Sequence, residues 1–291
     1  MNIKARQPQL FIDFPHHNAE VPTWHPFQQC LYWTDIPQGK MYRYNHQKNK
    51  VEQIYSGEPV GGFTIQQDGS LLLFKTKGTI EHWQEGKVKT IVADIPSERL
   101  TRFNDAIADP LGRVYSGTMA TPQSPGKLYR LDLDGSLHII MEGLTVPNGM
   151  GFSPDCKHFY TTDSDTKTIY HFDYDLATGD LGEPQVHILS TNVEGVPDGL
   201  TIDSKGYMWS ARWDGYHLTR HNPAGEEVLR IALPTAKVSS VTFGGADYSR
   251  LYITTAGGQN RTEQDMLAGS IFYLDPGVSG KAEFLSRVQV N

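Results

Sequence analysis

Cysteine is scarce in this chain of 291 residues: only Cys30 and Cys156 are present, so a disulfide framework cannot hold the fold together. Neither cysteine belongs to a Cys-x-x-Cys pair, which excludes the common thiolate zinc motifs. No run approaches the roughly 20 apolar residues that a membrane-spanning helix requires. Residues 1–9 carry two cations but no apolar segment of signal-peptide length, so a cytoplasmic protein is expected.

Positive charge is also scarce, because 26 Lys and Arg stand against 33 Asp and Glu and give a formal net charge of −7. Nucleic acids and anionic membranes bind through basic patches, so neither is an expected partner. The expected partner is a small molecule, and the expected state is a monomer or weak dimer. Long amphipathic helical stretches are missing, whereas 28 glycines and 17 prolines favour many short strands joined by turns.

A turn signal recurs along the chain at a nearly constant interval. Successive signals lie 42, 42, 44, 50 and 41 residues apart, at Pro26, Asp68, Pro110, Pro154, Ser204 and Gly245. A short apolar run precedes each signal and two or three more follow it, as in residues 113–116, 127–131 and 137–141. Repeats of this length are typical of propellers and solenoids.

Each repeat is therefore interpreted as a meander of four short strands. Such a meander has two apolar faces and cannot stand alone, whereas six meanders packed radially around a channel bury those faces. The sequence predicts an all-β, six-bladed β-propeller that forms a single domain over residues 1–291. Closing the ring needs a strand from the far terminus, and we predict that residues 8–14 complete the last blade beside residues 282–286.

The first strand of each blade begins at one mouth of the channel, so equivalent positions of the repeats should face one another. Counting back six residues from each turn signal gives two carboxylates, two amides, a serine and a glycine: Glu20, Gly62, Asn104, Asn148, Asp198 and Ser239. A ring of oxygen atoms near a channel is costly unless a cation compensates it. Oxygen donors alone suit hard ions such as Ca²⁺, Mg²⁺ or Mn²⁺ better than zinc.

Less specific interpretations of the same residues remain open. Asn148-Gly149 and Asp198-Gly199 are also ordinary turn signals, and Glu20 alone could be a solvated loop carboxylate. Their shared position in the repeat favours a site over either alternative.

Two other clusters of polar residues could suggest metal sites. His16, His17 and His25 lie near Glu20 in the sequence, but no ligand spacing supports zinc there. Asp163-Ser164-Asp165 resembles the opening of a calcium loop, yet the glycine and the distal glutamate of such loops are missing. A polar cluster at a strand end, beside the ring, is the favoured interpretation of this second group.

Five motifs carry a resemblance to a known family: Arg102-Phe-Asn-Asp105, Ser116-Gly-Thr-Met-Ala120, Pro147-Asn-Gly149, Phe172-Asp-Tyr-Asp175 and Pro197-Asp-Gly199. In order and spacing they resemble the SMP-30/gluconolactonase (regucalcin-like) family over about residues 18–275. The resemblance implies a six-bladed propeller with one divalent metal at the channel mouth. It also implies hydrolysis of sugar lactones such as gluconolactone.

The resemblance further implies which residues form the site. Glu20, Asn148 and Asp198 would ligate the metal, with Asp198 also serving as the general base, while Arg102 and Asn104 would hold the substrate. Calcium is the ion that the ligand types favour, with zinc, manganese, magnesium and iron as alternatives. The alternative role for Arg102 is a structural ion pair with a loop carboxylate.

Thr121 marks a departure from the family pattern. Mammalian members carry a glutamate just after the Gly-Thr-Met-Ala motif, where it contacts substrate hydroxyls. Here Thr121 occupies that position, so it is a candidate substrate-binding residue and the preferred sugar is left open. Residues 121–126 are short and proline-rich, and we expect a stiff lid if they cover the site.

Two other functions compete with a lactonase. Leu31-Tyr-Trp-Thr-Asp35 matches a signature of receptor propellers, which bind partners without catalysis, but the motif occurs once, with loose echoes at residues 159–163 and 251–254. A metal-dependent phosphotriesterase or arylesterase on the same scaffold is the nearer alternative. Assays with sugar lactones, an organophosphate and an aryl ester would separate the three.

Overall fold

The structure, a computed structural model, describes residues 7–191 and 195–290. In these ranges 24 strands form six antiparallel sheets of four strands each. The first strand of the chain, β1 (Gln9–Ile12), belongs to the sixth sheet. The first three sheets consist of β2 (Ala19–His25), β3 (Cys30–Asp35), β4 (Lys40–Asn45) and β5 (Lys50–Ser56); β6 (Val60–Ile65), β7 (Leu71–Lys75), β8 (Ile80–Gln84) and β9 (Lys87–Val92); and β10 (Phe103–Ala108), β11 (Val114–Thr118), β12 (Gly126–Leu131) and β13 (Leu137–Leu144).

The other three sheets repeat this arrangement in chain order. They consist of β14 (Pro147–Phe152), β15 (His158–Asp163), β16 (Thr168–Asp173) and β17 (Gln185–Leu189); β18 (Val196–Ile202), β19 (Met208–Trp213), β20 (His217–His221) and β21 (Glu227–Ala232); and β22 (Val238–Gly244), β23 (Arg250–Thr255) and β24 (Ile271–Leu274) with β1. Three short 3₁₀ helices complete the described elements, at Ile36–Gln38, Pro96–Glu98 and Gly258–Asn260. The predicted six-bladed β-propeller is confirmed, and none of the described helices is long and apolar enough to cross a membrane.

The predicted partner of the N-terminal strand was wrong. β1 pairs antiparallel with β24, where Gln9 lies opposite Tyr273 and Leu10 opposite Phe272. Residues 282–286 form no strand of this sheet, because β24 already occupies the third position of the sixth blade. The ring is therefore closed by one strand from the N-terminal end and three from the C-terminal end of the propeller.

The chain beyond β24 runs across the mouth of the channel that lies opposite the starts of the inner strands. Its backbone bonds to several blades in turn: the amide of Gly280 donates to the carbonyl of Tyr248 (2.9 Å), and the amide of Ser286 donates to the carbonyl of Ile65 (2.9 Å). A cavity inside the channel is lined by the inner strands and by residues 283–285. The C-terminal segment thus covers one end of the channel.

A cluster of buried apolar side chains lies between each pair of neighbouring blades in the described part of the chain. Between the first two blades, for example, Tyr32 and Met41 contact a group that includes Phe63 and Leu73. Burying one large apolar side chain contributes about 1.5–3 kcal/mol to stability. Each blade buries both faces in this way, which is why the repeat predicts a closed ring rather than isolated sheets.

Glycine allows the inner strands of neighbouring blades to approach closely. Gly149 lies within β14, and a Cβ atom there would lie 2.4 Å from the amide nitrogen of Leu200 and 2.5 Å from the carbonyl oxygen of Asp198. Gly199 lies within β18 and packs in the same way against Ser240. The turn interpretation of Asn148-Gly149 and Asp198-Gly199 was therefore wrong, because both pairs lie inside strands.

Replacing Gly149 with alanine should destabilise the protein, because the added methyl group would overlap the backbone of β18 rather than a mobile side chain. Overpacking of this kind costs about 1–3 kcal/mol, which urea unfolding would measure. Gly182→Ala is the matched control: this glycine is exposed, and the nearest atom to an added Cβ is Asp173 Cβ at 3.4 Å. Equal unfolding midpoints for the two variants would contradict the close-approach argument.

Candidate metal and catalytic site at the channel mouth

The six positions predicted to face one another all lie near the start of the first strand of a blade. The pairing of each of these strands with the second strand shifts at or beside the predicted position, in β2, β6, β10, β14, β18 and β22. A bulge inserts one extra residue into a strand, so the side chains beside it no longer alternate regularly between the two faces of the sheet. The same irregularity thus recurs six times around the mouth of the channel.

Four of the six positions carry polar side chains that are almost fully buried. Glu20, Asn104, Asn148 and Asp198 are only 4–7 % exposed. The other two positions offer no ligand to the channel. Ser239 donates its hydroxyl to the carbonyl of Ala19 at 2.6 Å, and Gly62 has no side chain.

The carboxyl groups of the site influence one another electrostatically. Burial raises the pKa of Glu20 to about 8, with a further rise from the charge of Asp105 and opposition from Arg102. Burial, followed by the charges of Glu20 and Asp105, raises the pKa of Asp198 well above its usual range. Three carboxyl groups therefore share one desolvated region, and Arg102 is the cation that opposes them there.

Asp105 is the site residue that sequence reasoning missed. It follows Asn104 directly, and in a regular strand two successive side chains point to opposite faces. The pairing of β10 shifts between Phe103 and Asp105, so strict alternation does not hold at this point. Burial and, to a smaller extent, the charge of Glu283 together raise the pKa of Asp105 to about 7. The only signal in the sequence was a third carboxylate inside the Arg102-Phe-Asn-Asp105 motif.

The two amide side chains are held in fixed orientations. The Asn104 Nδ2 atom donates to the carbonyl of Pro147 (2.8 Å). The Asn148 Nδ2 atom donates to Ser164 Oγ (3.2 Å), and Ser164 Oγ donates to the carbonyl of Pro197 (2.7 Å). Because Asn148 uses its nitrogen for Ser164, its oxygen is the atom available to a ligand.

Two residues of the polar cluster predicted at residues 163–165 form hydrogen bonds with the segments that carry the ring. Asp163 is buried at the end of β15, and its carboxylate accepts hydrogen bonds from the amides of Thr145 and Val146. These two residues lead directly into β14, whose second residue is Asn148. Asp163 and Ser164 therefore position the ring rather than form a separate calcium loop.

Arg102 lies just before β10, with its guanidinium already engaged by its own segment. Its Nη1 atom donates to Asn104 Oδ1 (2.6 Å) and to the carbonyl of Phe103 (2.9 Å). Burial lowers the pKa of Arg102, and the charges of Glu20 and Asp198 oppose this with a smaller rise. Arg102 thus belongs to the ring rather than to an ion pair with a distant loop.

Thr121 lies in the short loop between β11 and β12. Its hydroxyl accepts hydrogen bonds from the amides of Gln123 (3.2 Å) and Ser124 (3.1 Å), so it stabilises its own turn. Two residues earlier, the amide of Met119 donates to the carbonyl of Arg102 (3.1 Å). The loop therefore starts beside Arg102, while the Thr121 hydroxyl accepts hydrogen bonds from its own backbone.

The histidines near Glu20 have other partners. His16 is fully buried: its Nε2 atom accepts a hydrogen bond from Trp33 Nε1 (2.9 Å), and its Nδ1 atom lies 2.8 Å from the carbonyl of Gly269. His25 Nε2 lies 3.1 Å from the carbonyl of Gly69. These interactions occupy the ring nitrogens, so the zinc alternative for this cluster has no support.

A divalent metal fits the residues that the ring presents. The Asp198 Oδ1 atom is buried and has no hydrogen-bond partner, which is a costly state for a carboxylate oxygen. Glu20 and Asp105 lie close enough to raise its pKa, and Asn148 can add an amide oxygen. An all-oxygen donor set with an unsatisfied carboxylate at its centre matches the ligands of hard divalent ions.

The fold and the site together define a class of protein: a six-bladed propeller with a buried ring of oxygen donors at one mouth of its channel. The family profile described as SMP-30/Gluconolactonase/LRE-like region matches residues 18–257. The chain belongs to this family, and the resemblance predicted from its motifs is confirmed.

Curated relatives extend over most of the chain. The pentonolactonase XacC of Haloferax volcanii is 40% identical over 286 residues, which cover 96% of this chain and 98% of the relative. The 6-deoxy-6-sulfogluconolactonase of Pseudomonas putida is 32% identical, with 96% of each chain covered. Regucalcin of Sus scrofa is 32% identical over 82% of this chain and 83% of its own length.

Solved structures with the same architecture also match nearly the whole chain. A luciferin-regenerating enzyme has a TM-score of 0.88 and 25% identity, and the match covers 97% of this chain and all of that one. A calcium-binding regucalcin of Agrobacterium tumefaciens has a TM-score of 0.90 at 23% identity, with 98% of each chain covered. The second match, at this low identity, shows a common fold.

In a buffer free of divalent metal, the protein should lose stability as the pH rises. The folded-state pKa of Glu20, about 8, exceeds its usual value of 4.5, so the folded state holds the proton more tightly than the unfolded chain. The proton bound to Glu20 therefore contributes its full stabilisation below pH 4.5. This contribution is lost as the pH rises towards 8, at about 1.4 kcal/mol per pH unit. Thermal unfolding across this window, with a chelator present, measures the slope.

Glu20→Gln should flatten that slope and raise the unfolding temperature of the metal-free protein at pH 8, because a neutral side chain replaces a buried carboxylate. Added Ca²⁺ is expected to raise the unfolding temperature of the wild type and not that of this variant. Glu263→Gln, at an exposed carboxylate, serves as the control and should change neither property. A wild-type slope that persists in Glu20→Gln would contradict the assignment.

Proposed function

We propose that this protein hydrolyses sugar lactones, with a divalent metal held by Glu20, Asn148 and Asp198. The observation that carries the proposal is the buried, unpartnered Asp198 Oδ1 atom among mutually repelling carboxyl groups. The names of the relatives support the substrate class, since two of them are called pentonolactonase and 6-deoxy-6-sulfogluconolactonase. Calcium suits the oxygen donors best, and manganese or magnesium would suit the same set.

A metal bound to these residues would polarise the lactone carbonyl and stabilise the negative charge that develops on its oxygen. Asp198 accepts a proton from water as the water oxygen forms a bond to the carbonyl carbon. The ester bond to the ring oxygen then breaks, and that oxygen takes up the proton from Asp198 to give the open-chain acid and the free carboxylate of Asp198. Without a metal, burial, followed by the charges of Glu20 and Asp105, raises the pKa of Asp198 well above its usual range. A bound dication would favour the ionised carboxylate, which is the form that accepts a proton from water.

Arg102 and Asn104 orient the lactone. The hydrogen bond between Arg102 Nη1 and Asn104 Oδ1, and that from Asn104 Nδ2 to the carbonyl of Pro147, fix both side chains before substrate arrives. A preformed pair of this kind reduces the entropy lost when the sugar ring is held against the attacking water. Its polar groups suit the hydroxyls of an aldonolactone better than an apolar ester.

The alternative functions require different properties of the ring. A purely binding propeller has no need for a buried carboxylate oxygen without a partner, so the ring favours an enzyme over that alternative. A phosphotriesterase or arylesterase would use the same metal, and only substrates distinguish it from a lactonase. A pH-indicator assay over five- and six-carbon aldonolactones, an organophosphate and an aryl ester, repeated with several metals, makes the distinction.

Asp198→Asn should reduce kcat by about 10²–10⁴-fold, because the amide cannot accept the proton from water. Chelation should silence the wild type, and added metal should restore it. Asp165→Asn, at an exposed carboxylate in the loop after β15, is the matched control and should keep full activity. Wild-type turnover that survives chelation, or normal turnover by a folded Asp198→Asn protein, would exclude the mechanism.

Thr121→Glu should change the preference among lactones, because a carboxylate at the start of the loop could accept a hydrogen bond from one more sugar hydroxyl. We expect kcat/KM for six-carbon lactones to rise relative to that for five-carbon lactones. Thr121→Ser keeps the hydroxyl that accepts the amides of Gln123 and Ser124, so its ratio should match the wild type. An unchanged ratio in Thr121→Glu would remove this residue from substrate recognition.

A further inference from the structure

A second group of metal-type ligands lies on the fourth blade. His158 begins β15 and lies directly opposite Asp173, the last residue of β16. His171 lies diagonally across from His158, opposite Tyr160, so all four side chains share one face of the sheet. Tyr160 belongs to the cluster between the fourth and fifth blades, which places this face towards the fifth blade.

This group is well separated from the ring at the channel mouth. Asp163, which supports the ring, is at the other end of β15 from His158. The five intervening steps of extended chain span about 16 Å at 3.3 Å per residue. The two sets of ligands therefore cannot share one ion.

The ligand atoms already stand at distances that a single ion needs. The Nδ1 atom of His158 lies 2.9 Å from Nε2 of His171 and 3.4 Å from Oδ1 of Asp173. All three atoms lie within 4.8 Å of one another. Two ligands of a tetrahedral zinc ion, each bonded at about 2.0–2.1 Å, are separated by about 3.3 Å.

One of the two imidazoles, that of His171, also favours the neutral form that ligation requires. Burial, followed by the charge of His158, lowers the pKa of His171. Burial, followed by the charges of His171 and His158, lowers the pKa of neighbouring His187, whose ring centroid lies 5.9 Å from that of His171. Neutral imidazoles keep a free lone pair at neutral pH, so protons compete weakly with a metal.

We propose that His158, His171 and Asp173 form a second metal site, selective for a transition-metal dication such as Zn²⁺. Two imidazole nitrogens and one carboxylate suit Zn²⁺, Ni²⁺ or Cu²⁺ far better than Ca²⁺, whereas the channel ring offers oxygen alone. The ion would replace the hydrogen bond between the two imidazoles and clip β15 to β16. Its effect is on the stability of the fourth blade and not on lactone hydrolysis.

Zinc titration in the presence of saturating Ca²⁺ tests the proposal, because Ca²⁺ occupies the oxygen ring and leaves the histidine site free. We expect wild-type protein, previously stripped with a chelator, to bind one equivalent of Zn²⁺ by calorimetry and to unfold at a higher temperature with it. Co²⁺ used in place of Zn²⁺ should give the visible absorption of a four-coordinate nitrogen and oxygen site. Neither readout depends on catalytic activity, and comparing the wild type with His171→Asn assigns the zinc equivalent to the histidine group whether or not Ca²⁺ fills the oxygen ring.

His171→Asn should weaken zinc binding at least about tenfold and abolish the thermal shift, while lactonase activity with Ca²⁺ stays at the wild-type level. Asp173→Asn, at a side chain 75% exposed, provides a second variant that folding should tolerate. His138→Asn is the matched control: His138 faces Asp132 at 3.2 Å in the third blade. Absence of a zinc equivalent in the wild type, or wild-type affinity in both His171→Asn and Asp173→Asn, would overturn the proposal.

Discussion

Repulsion among buried carboxyl groups is the constraint on which the candidate site depends. Burial raises the pKa of Glu20 and of Asp198, the charge of Asp105 raises both further, and Arg102 opposes the rise at these two residues. Withdrawing an ion from water costs several kcal/mol even after the protein relaxes. A site of this kind persists only where the scaffold holds it in place, and it becomes stable at neutral pH when protons or a divalent cation balance the charge.

The propeller supplies that rigidity because the six equivalent positions of the ring lie on the first strands of six different blades. Neighbouring inner strands approach so closely that Gly149 and Gly199 have no room for a side chain. Apolar clusters fill the space between the blades, and β1 joins the two ends of the chain in one sheet. No ring residue can move outward without disturbing the packing of an entire blade, so the spacing of the ligands is fixed before any ligand binds.

Membership in the SMP-30/gluconolactonase family and the properties of the ring point in the same direction. The fold alone would leave the function open, because propellers serve many purposes. The unsatisfied carboxylate oxygen of Asp198 and the preformed pair of Arg102 and Asn104 support our proposal of metal-assisted hydrolysis of a polar substrate. The histidine group on the fourth blade differs from the ring in both ligand type and location, so the two proposed metal sites should select different ions.

The sequence by itself determined the number of blades and the positions that face the channel, because both follow from a local repeat in which each unit carries its own strands and turns. It also supplied Glu20, Asn104, Asn148 and Asp198, since equivalent positions of a ring must converge. Only the tertiary structure decided that Asp105 joins them, because a bulge breaks the alternation of side chains in β10. Tertiary structure likewise decided that β1 pairs with β24, and that His158 and His171 meet diagonally across two strands. The pairing of β1 with β24 joins residues distant in the chain, which no local pattern encodes. The register of the β15–β16 hairpin depends on the geometry of its turn, which the spacing of the repeats does not specify.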